Sequence, residues 1–398
     1  MGKNIHPINR SMVDKNLSKQ NSGFLSKFVR GHWFINESGT VDIEGDFDCS
    51  SGLTEDQLKL PKIKIRRVSG DFNCSNNSLE SLENCPQEIG GSFRCYSNKI
   101  KNLKHSPKKV GLNFDCTRNQ IDSLQGCTEI IYGNFSCDFN LLRDLSGSPL
   151  LVDGDFRVSN NLIESLEGCP QEIKGSFYCD GNNLDTLECG PQTVGKIYDC
   201  SGNNLKDLSG SPDEINGKFI CSNNKLVSLS GSPRKIIGDF ICSNNFLVDL
   251  DGSPEILGSG FNFSNNLVNS LYGVPKMNSE MVVCSGNVVS ERTLNSLLKE
   301  VCSGIPFHVS LALFWESIDY RDQEHLSLYL DHIKVSEYIF KNFSGDPARI
   351  TKIYDHLPVH IKSKVIKEIS KMGNKNGSFE RSLENISSLV DSGLFDDI

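Results

Sequence analysis

Fifteen cysteines and eight histidines are the residues of this 398-residue chain best placed to do chemistry. Thiolates and imidazoles bind metals, and a histidine beside carboxylates can move protons. His356 and His360 stand four apart, a metal-ligand spacing on a helix. Pro358 between them marks a helix start, and no Glu lies within the pair to serve as a metalloprotease base. The pair reads as structural or surface. Asp319 and Asp322 with His325 and His332 lack the spacing of a known reaction and read as a solvated helix face. No Cys-x-x-Cys, phosphate loop, Gly-x-Ser-x-Gly or dinucleotide fingerprint occurs. The residues make no case for an enzyme, a cofactor or a bound metal.

A net charge of −9 argues against a broad phosphate-binding surface, so no nucleic-acid partner is expected. No apolar run reaches the roughly 18 residues of a membrane span, and Met1 to Gln20 lacks a signal-peptide core. The expectation is a soluble, cytoplasmic protein without a membrane partner. An odd number of cysteines in such a chain weakens a disulfide reading. Their spacing explains them better.

From Gly70-Asp71-Phe72-Asn73-Cys74, steps of 21 residues carry the Phe slot through Phe93, Phe114 and Phe135 to Phe240, Phe261 and Val282. The Cys slot runs from Cys74 to Cys284, with Val158 and Phe263 substituting. One slot never varies: Asn77, Asn98, Asn119, Asn140, Asn161, Asn182, Asn203, Asn224, Asn245, Asn266 and Asn287. An apolar slot follows from Leu79 to Val289, a Leu slot from Leu82 to Leu271, and a Pro slot from Pro86 to Pro275 with Thr128 the exception. The register holds through eleven coils without insertion or deletion.

Phe-x-Cys has a period of two, so both side chains point inward from a short strand. Stacked coils then share a core that no single coil could bury. Val and Phe in the Cys slot show that it wants a hydrophobe, as a buried free thiol is. Cys85, Cys127 and Cys169 recur on the turn side and read as packing too. The Asn amide stands where the chain leaves the strand, placed to bond backbone groups of neighbouring coils as a structural ladder. Gly and Pro turn the chain back, as in Ser209-Gly210-Ser211-Pro212.

The pattern resembles the leucine-rich repeat, L-x-x-L-x-L-x-x-N-x-L, with Phe, Cys, Asn and Leu in its last four slots. The 21-residue length and the Leu-x-Gly-x-Pro return look like the short bacterial type. Nearer still is the likeness to phage and giant-virus proteins built from G-x-F-x-C-S-x-N-x-L-x-S-L-x-G-x-P, covering about residues 33 to 289. The resemblance implies an α+β solenoid: a horseshoe with its parallel sheet on the concave face, followed by a helical C-terminal region. It also implies a protein partner. Some bacterial effectors of this kind carry a C-terminal ubiquitin ligase with Cys-x-Asp, but Cys302-Ser303-Gly304 lacks the Asp.

The ends depart from the repeat. Residues 1–32 read as a polar arm, and residues 33–69 as a cap strand and an atypical first coil. The repeats fill 70–289, and 290–398 reads as a helical cap or domain of four or five helices. Ser290 is placed to cap a helix reaching about Val301, Pro347 and Pro358 mark two more helix starts, and Ser378 is placed to cap a last one.

The register also lists the outward strand positions. Arg94, Tyr96, Arg157 and Tyr178 are residue types enriched at binding hot spots. Ile197, Ile220 and Ile241 form an apolar stripe on a face that should be wet. The expected function is a non-enzymatic scaffold, phage- or virus-encoded, that binds a host or viral protein through this face. Two other readings stand beside it: a virion or assembly component with the solenoid as spacer, and an effector whose repeats are the address for an acting C-terminal region.

Overall fold

The computed structural model describes residues 19–54, 57, 59–277, 281–302, 305, 307–315, 318, 320–327, 330–343 and 357–376. The chain divides into two compact units, Met1–Lys225 with Gly231–Ile241, and Leu226–Ser230 with Cys242–Ile398.

The first unit opens with helix α1 (Lys19–Phe28) and an antiparallel hairpin of β1 (Val29–Ile35) and β2 (Val41–Asp48). The hairpin turn is closed by Asn36, whose Oδ1 accepts the amides of Ser38 at 3.0 Å and Thr40 at 3.2 Å. The far edge of β2 begins the parallel stack, with Phe47 in register with Phe72. Each coil then contributes a two-residue strand whose aromatic is buried and whose second residue is half-buried, from Phe72–Asn73 to Phe240–Ile241. The aromatics form one column from Phe47 to Phe240, with neighbouring ring centroids 4.8 to 5.9 Å apart. That separation lets rings contact along the axis and is set by the strand spacing.

A second set of short strands forms where the chain returns, as at Glu88–Ile89, Lys109–Val110, Ile130–Ile131 and Leu151–Val152. Their second residue is buried, and neighbours pair in parallel, Leu151 with Ile130 for example. The cysteines of the ladder are free and buried.

In the second unit, Phe261–Asn262 and Val282–Val283 continue the parallel pattern, Phe261 in register with Val282. Helices follow: α2 (Glu291–Cys302), α3 (Phe307–Phe314), α4 (Tyr320–Leu326), α5 (His332–Phe343) and α6 (Val359–Asn376). Ser290 caps α2, its Oγ accepting the Thr293 amide at 3.3 Å. The cap is tied to α4 by Asp322, which accepts from Ser290 Oγ and Thr293 Oγ1, both at 2.6 Å. Ala312, Val335, Ile339, Leu357, Val365 and Ile369 close a small core of their own. The architecture is therefore a parallel-sheet solenoid of stacked coils with a helical C-terminal region, the fold class expected from the repeat. The helix start at Pro347, the cap at Ser378, and the residues His356 and Asp319 lie outside the described residues.

Candidate protein-binding face

The strand face is built by the second residue of each short strand. Because the aromatic before it and the Cys after it are held in the core, this residue has no choice but to face outward. Parallel pairing in register places Arg157 beside Tyr178, Tyr178 beside Asp199, Asp199 beside Ile220, and Ile220 beside Ile241. The Arg157 guanidinium lies 4.0 Å from the centre of the Tyr178 ring, a cation–π contact that holds both side chains in one arrangement. Ile197 sits just before the strand at Tyr198, at the border of the same face. In its slot on the next two coils Lys218 and Asp239 form an ion pair of 2.7 Å. All three isoleucines are half-buried rather than fully exposed, since each lies between neighbours about 5 Å away on either side.

Arg94 and Tyr96 stand three coils from Arg157, so the four candidate anchors do not form one cluster. Arg94 donates to Asp71 at 2.7 Å, and Tyr96 is half-buried in the same coil. Arg157 with Tyr178, and Ile220 with Ile241, are the pairs that the fold brings together.

The same face carries carboxylates that the sequence reading passed over: Asp115, Asp138, Asp180 and Asp199. Burial pushes the carboxyl of Asp138 above the ordinary aspartate value, and the like charges of Asp180 and Asp115 push it the same way. Burial also raises Asp199, with Asp180 again adding to the shift. Only the pairing of coils shows how close they stand.

The asparagines hold this face in place. Nδ2 of Asn182 donates to the carbonyls of Cys179 at 2.9 Å and Val158 at 3.1 Å, while its Oδ1 accepts the Ile163 amide at 3.1 Å. One side chain thus satisfies its own coil and the one before it. Asn98, Asn119, Asn140, Asn161, Asn203 and Asn224 repeat both donations in the first unit, and Asn266 and Asn287 do so in the second. Asn77 serves the atypical first coil in the same way, through Cys49 and the Leu53 amide. Asn245 donates to Cys242, within its own coil.

The serines after the Cys slot stand on the strand face yet are mostly covered. Ser75, Ser159, Ser222, Ser243 and Ser264 are buried. The next residue turns through positive φ, at Asn76, Asn160, Asn223, Asn244 and Asn265, and folds the chain over the serine. Several hydroxyls bond back two residues, as Ser75 Oγ does to Asn73 Oδ1 at 2.6 Å.

Among the described residues no group of three or more His, Cys, Asp or Glu side chains could hold a metal ion. The ring of His360 packs against Trp315, with centroids 5.7 Å apart. No described helix is long and apolar enough to cross a membrane.

No family model matches the chain, and no curated protein matches it. Among solved structures it is similar to YopM, a leucine-rich effector protein from Yersinia pestis, at 20% identity and a TM-score of 0.38, covering 61% of this chain and 77% of that one. YopM from Yersinia enterocolitica gives 19% identity and a TM-score of 0.34, over 71% of this chain and 75% of that one. The leucine-rich repeat domain of APL1B gives 16% identity and a TM-score of 0.39, over 72% and 88% respectively.

Proposed function

We propose that the chain is a non-enzymatic scaffold that binds another protein through the strand face of its first unit. The observation that carries this reading is the stripe of Ile220 beside Ile241, bordered by Ile197, on a face whose neighbouring serines are turned inward. Apolar side chains left at a wet surface gain free energy when a partner covers them. Arg157 held against Tyr178 adds a rigid anchor of the kind found at the centres of interfaces.

The repeat consensus supports a phage or large-virus origin, and with it a host or viral target in the host cytoplasm. The described cysteines are all free, which suits a reducing compartment. The test is affinity capture from host lysate by the full chain and by the Ile220→Asp/Ile241→Asp double variant. A protein retained by the wild type and lost by an equally stable variant supports the reading. Equal capture by both, or none by either, counts against it and favours the virion-component role.

A further inference from the structure

At several places on the first unit an acidic side chain is answered by a cation one coil away: Asp71 by Arg94 at 2.7 Å, Asp153 by Lys174 at 2.6 Å and Asp239 by Lys218 at 2.7 Å. The strand face departs from this habit. From Asp115 to Ile241 the slots after Phe and after Cys hold four aspartates, Asp115, Asp138, Asp180 and Asp199, and one cation, Arg157. None of the four forms an ion pair among the described residues. Arg157 favours the charged form of Asp138, but its guanidinium is stacked on the Tyr178 ring.

Asp180 is the hub of the group. Asp138, two coils back, accepts the amide of Ser159 at 2.7 Å, and Asp180 accepts the hydroxyl of the same residue, so both carboxylates gather over one serine. One coil forward, Asp199 accepts the Ser201 amide at 3.0 Å and its hydroxyl at 2.6 Å. These bonds fix the oxygens without supplying a positive charge. Burial pushes Asp138 and Asp199 toward the neutral form, and the like charge of Asp180 adds to the push on each. A cation beside Asp180 opposes that repulsion at both neighbours.

The acids run directly into the apolar stripe, for Asp199 is in register with Ile220 and Ile220 with Ile241. With strands about 4.8 Å apart, the middle of the isoleucine pair lies roughly 12 Å along the stack from Asp180. An extended segment rises about 3.3 Å per residue, so side chains four residues apart span about 13 Å and share one face.

We infer that the occupant of this face is an extended segment of a partner protein with a lysine or arginine four residues from a large apolar side chain. The cation sits at Asp180, between Asp138 and Asp199, and the apolar group covers Ile220 and Ile241. The inference rests on the reading of this face as a protein-binding one and adds the chemistry of what binds. An acidic or wholly apolar segment would desolvate the carboxylates without compensation.

A random dodecapeptide library displayed on phage and panned against the immobilised full chain tests this, with retained peptides synthesised and titrated by calorimetry. They are expected to share a basic residue four positions from Leu, Ile or Phe. Asp180→Asn/Asp199→Asn keeps the oxygens that accept from Ser159 and Ser201, so its melting midpoint should stay close to wild type. Its Kd for those peptides should rise by about tenfold or more. Changing the peptide's basic residue to Ala should cost about as much against wild type and little against the double variant. That substitution leaves the protein untouched and reads the same contact should the variant not fold. Peptides lost by Ile220→Asp/Ile241→Asp but lacking a basic residue, or indifferent to the aspartate changes, overturn the inference and leave the face a protein-binding one. Retention of no peptide, or of peptides bound equally by the isoleucine variant, overturns both.

Discussion

Tyr198 is the one hydroxyl-bearing ring in the column of phenylalanines between Phe47 and Phe240. It is fully buried, and its hydroxyl has no hydrogen-bond partner among the described residues. Gly190 stands where Cys169 and Ser211 stand in neighbouring coils, and a Cβ there would come within 3.4 Å of the hydroxyl. The missing side chain is the space that admits the larger ring. Tyr198→Phe should therefore hold the fold and raise unfolding stability by about 1 kcal/mol, since an unsatisfied buried hydroxyl is removed. Urea denaturation measures this, and a loss of stability would show that the hydroxyl has a partner after all. The carboxylates divide by sign. Asp138 and Asp199 titrate above the ordinary range because burial and Asp180 favour the neutral form. Their contribution to stability is present below the unfolded aspartate value and is lost as pH rises through their folded values. Asp322 behaves oppositely: burial resists its ionisation, but the bonds from Ser290 and Thr293 outweigh it and hold the carboxyl low. Its contribution is present above the unfolded value and is lost as pH falls through the folded one. Carbon-detected NMR titration should place Asp322 below the usual aspartate midpoint and the other two above it.

The coil is the element in which most of the fold was legible. Phe-x-Cys, the invariant Asn and the Leu slots state which side chains point inward, and the strands and amide bonds follow that register. The serine slot was less legible, because a small polar residue on a strand looks solvent-facing. What buries Ser75 or Ser243 is the positive-φ residue after it, and a residue type alone does not state a dihedral angle. The return strands were invisible for a similar reason: two residues are too few to show a period. At the candidate face the inside–outside alternation at Ile220 and Ile241 could be read, but the separation of Arg94 from Arg157 and the crowding of Asp180 with Asp199 needed coil-to-coil pairing. Two substitutions test the element. Asn182→Ala should cost about 1–3 kcal/mol, because the carbonyls of Cys179 and Val158 and the amide of Ile163 lose a buried partner. Gly210→Ala should cost at least about 2 kcal/mol, its φ of +91° being joined by a Cβ placed 2.3 Å from the backbone of Leu187 and Glu188. Thermal unfolding followed by circular dichroism reads both, and an unchanged midpoint for either would contradict the coil geometry described.

At the scale of the molecule, the column of thiols is buried along the stacked coils. Burial pushes Cys49 up to about 12, and Cys74, Cys95 and Cys116 well above the ordinary thiol range. A thiol that is both protonated and covered does not react. Of the described cysteines, only Cys189 is exposed and Cys127 is half-buried. Maleimide labelling of the native protein should modify Cys189 first, with the ladder thiols reached only on unfolding; rapid labelling of Cys95 or Cys179 would mean that the coils open. The amide ladder has a direction as well as a period. Asn98 receives the amide of Leu79, 19 residues before it, and donates to the carbonyl of Cys74, 24 residues before it. A coil leaving the ribosome is thus still short of its partners until the following one has been synthesised. The folded front must trail translation by a coil, and each new asparagine to emerge locks the turn already made behind it.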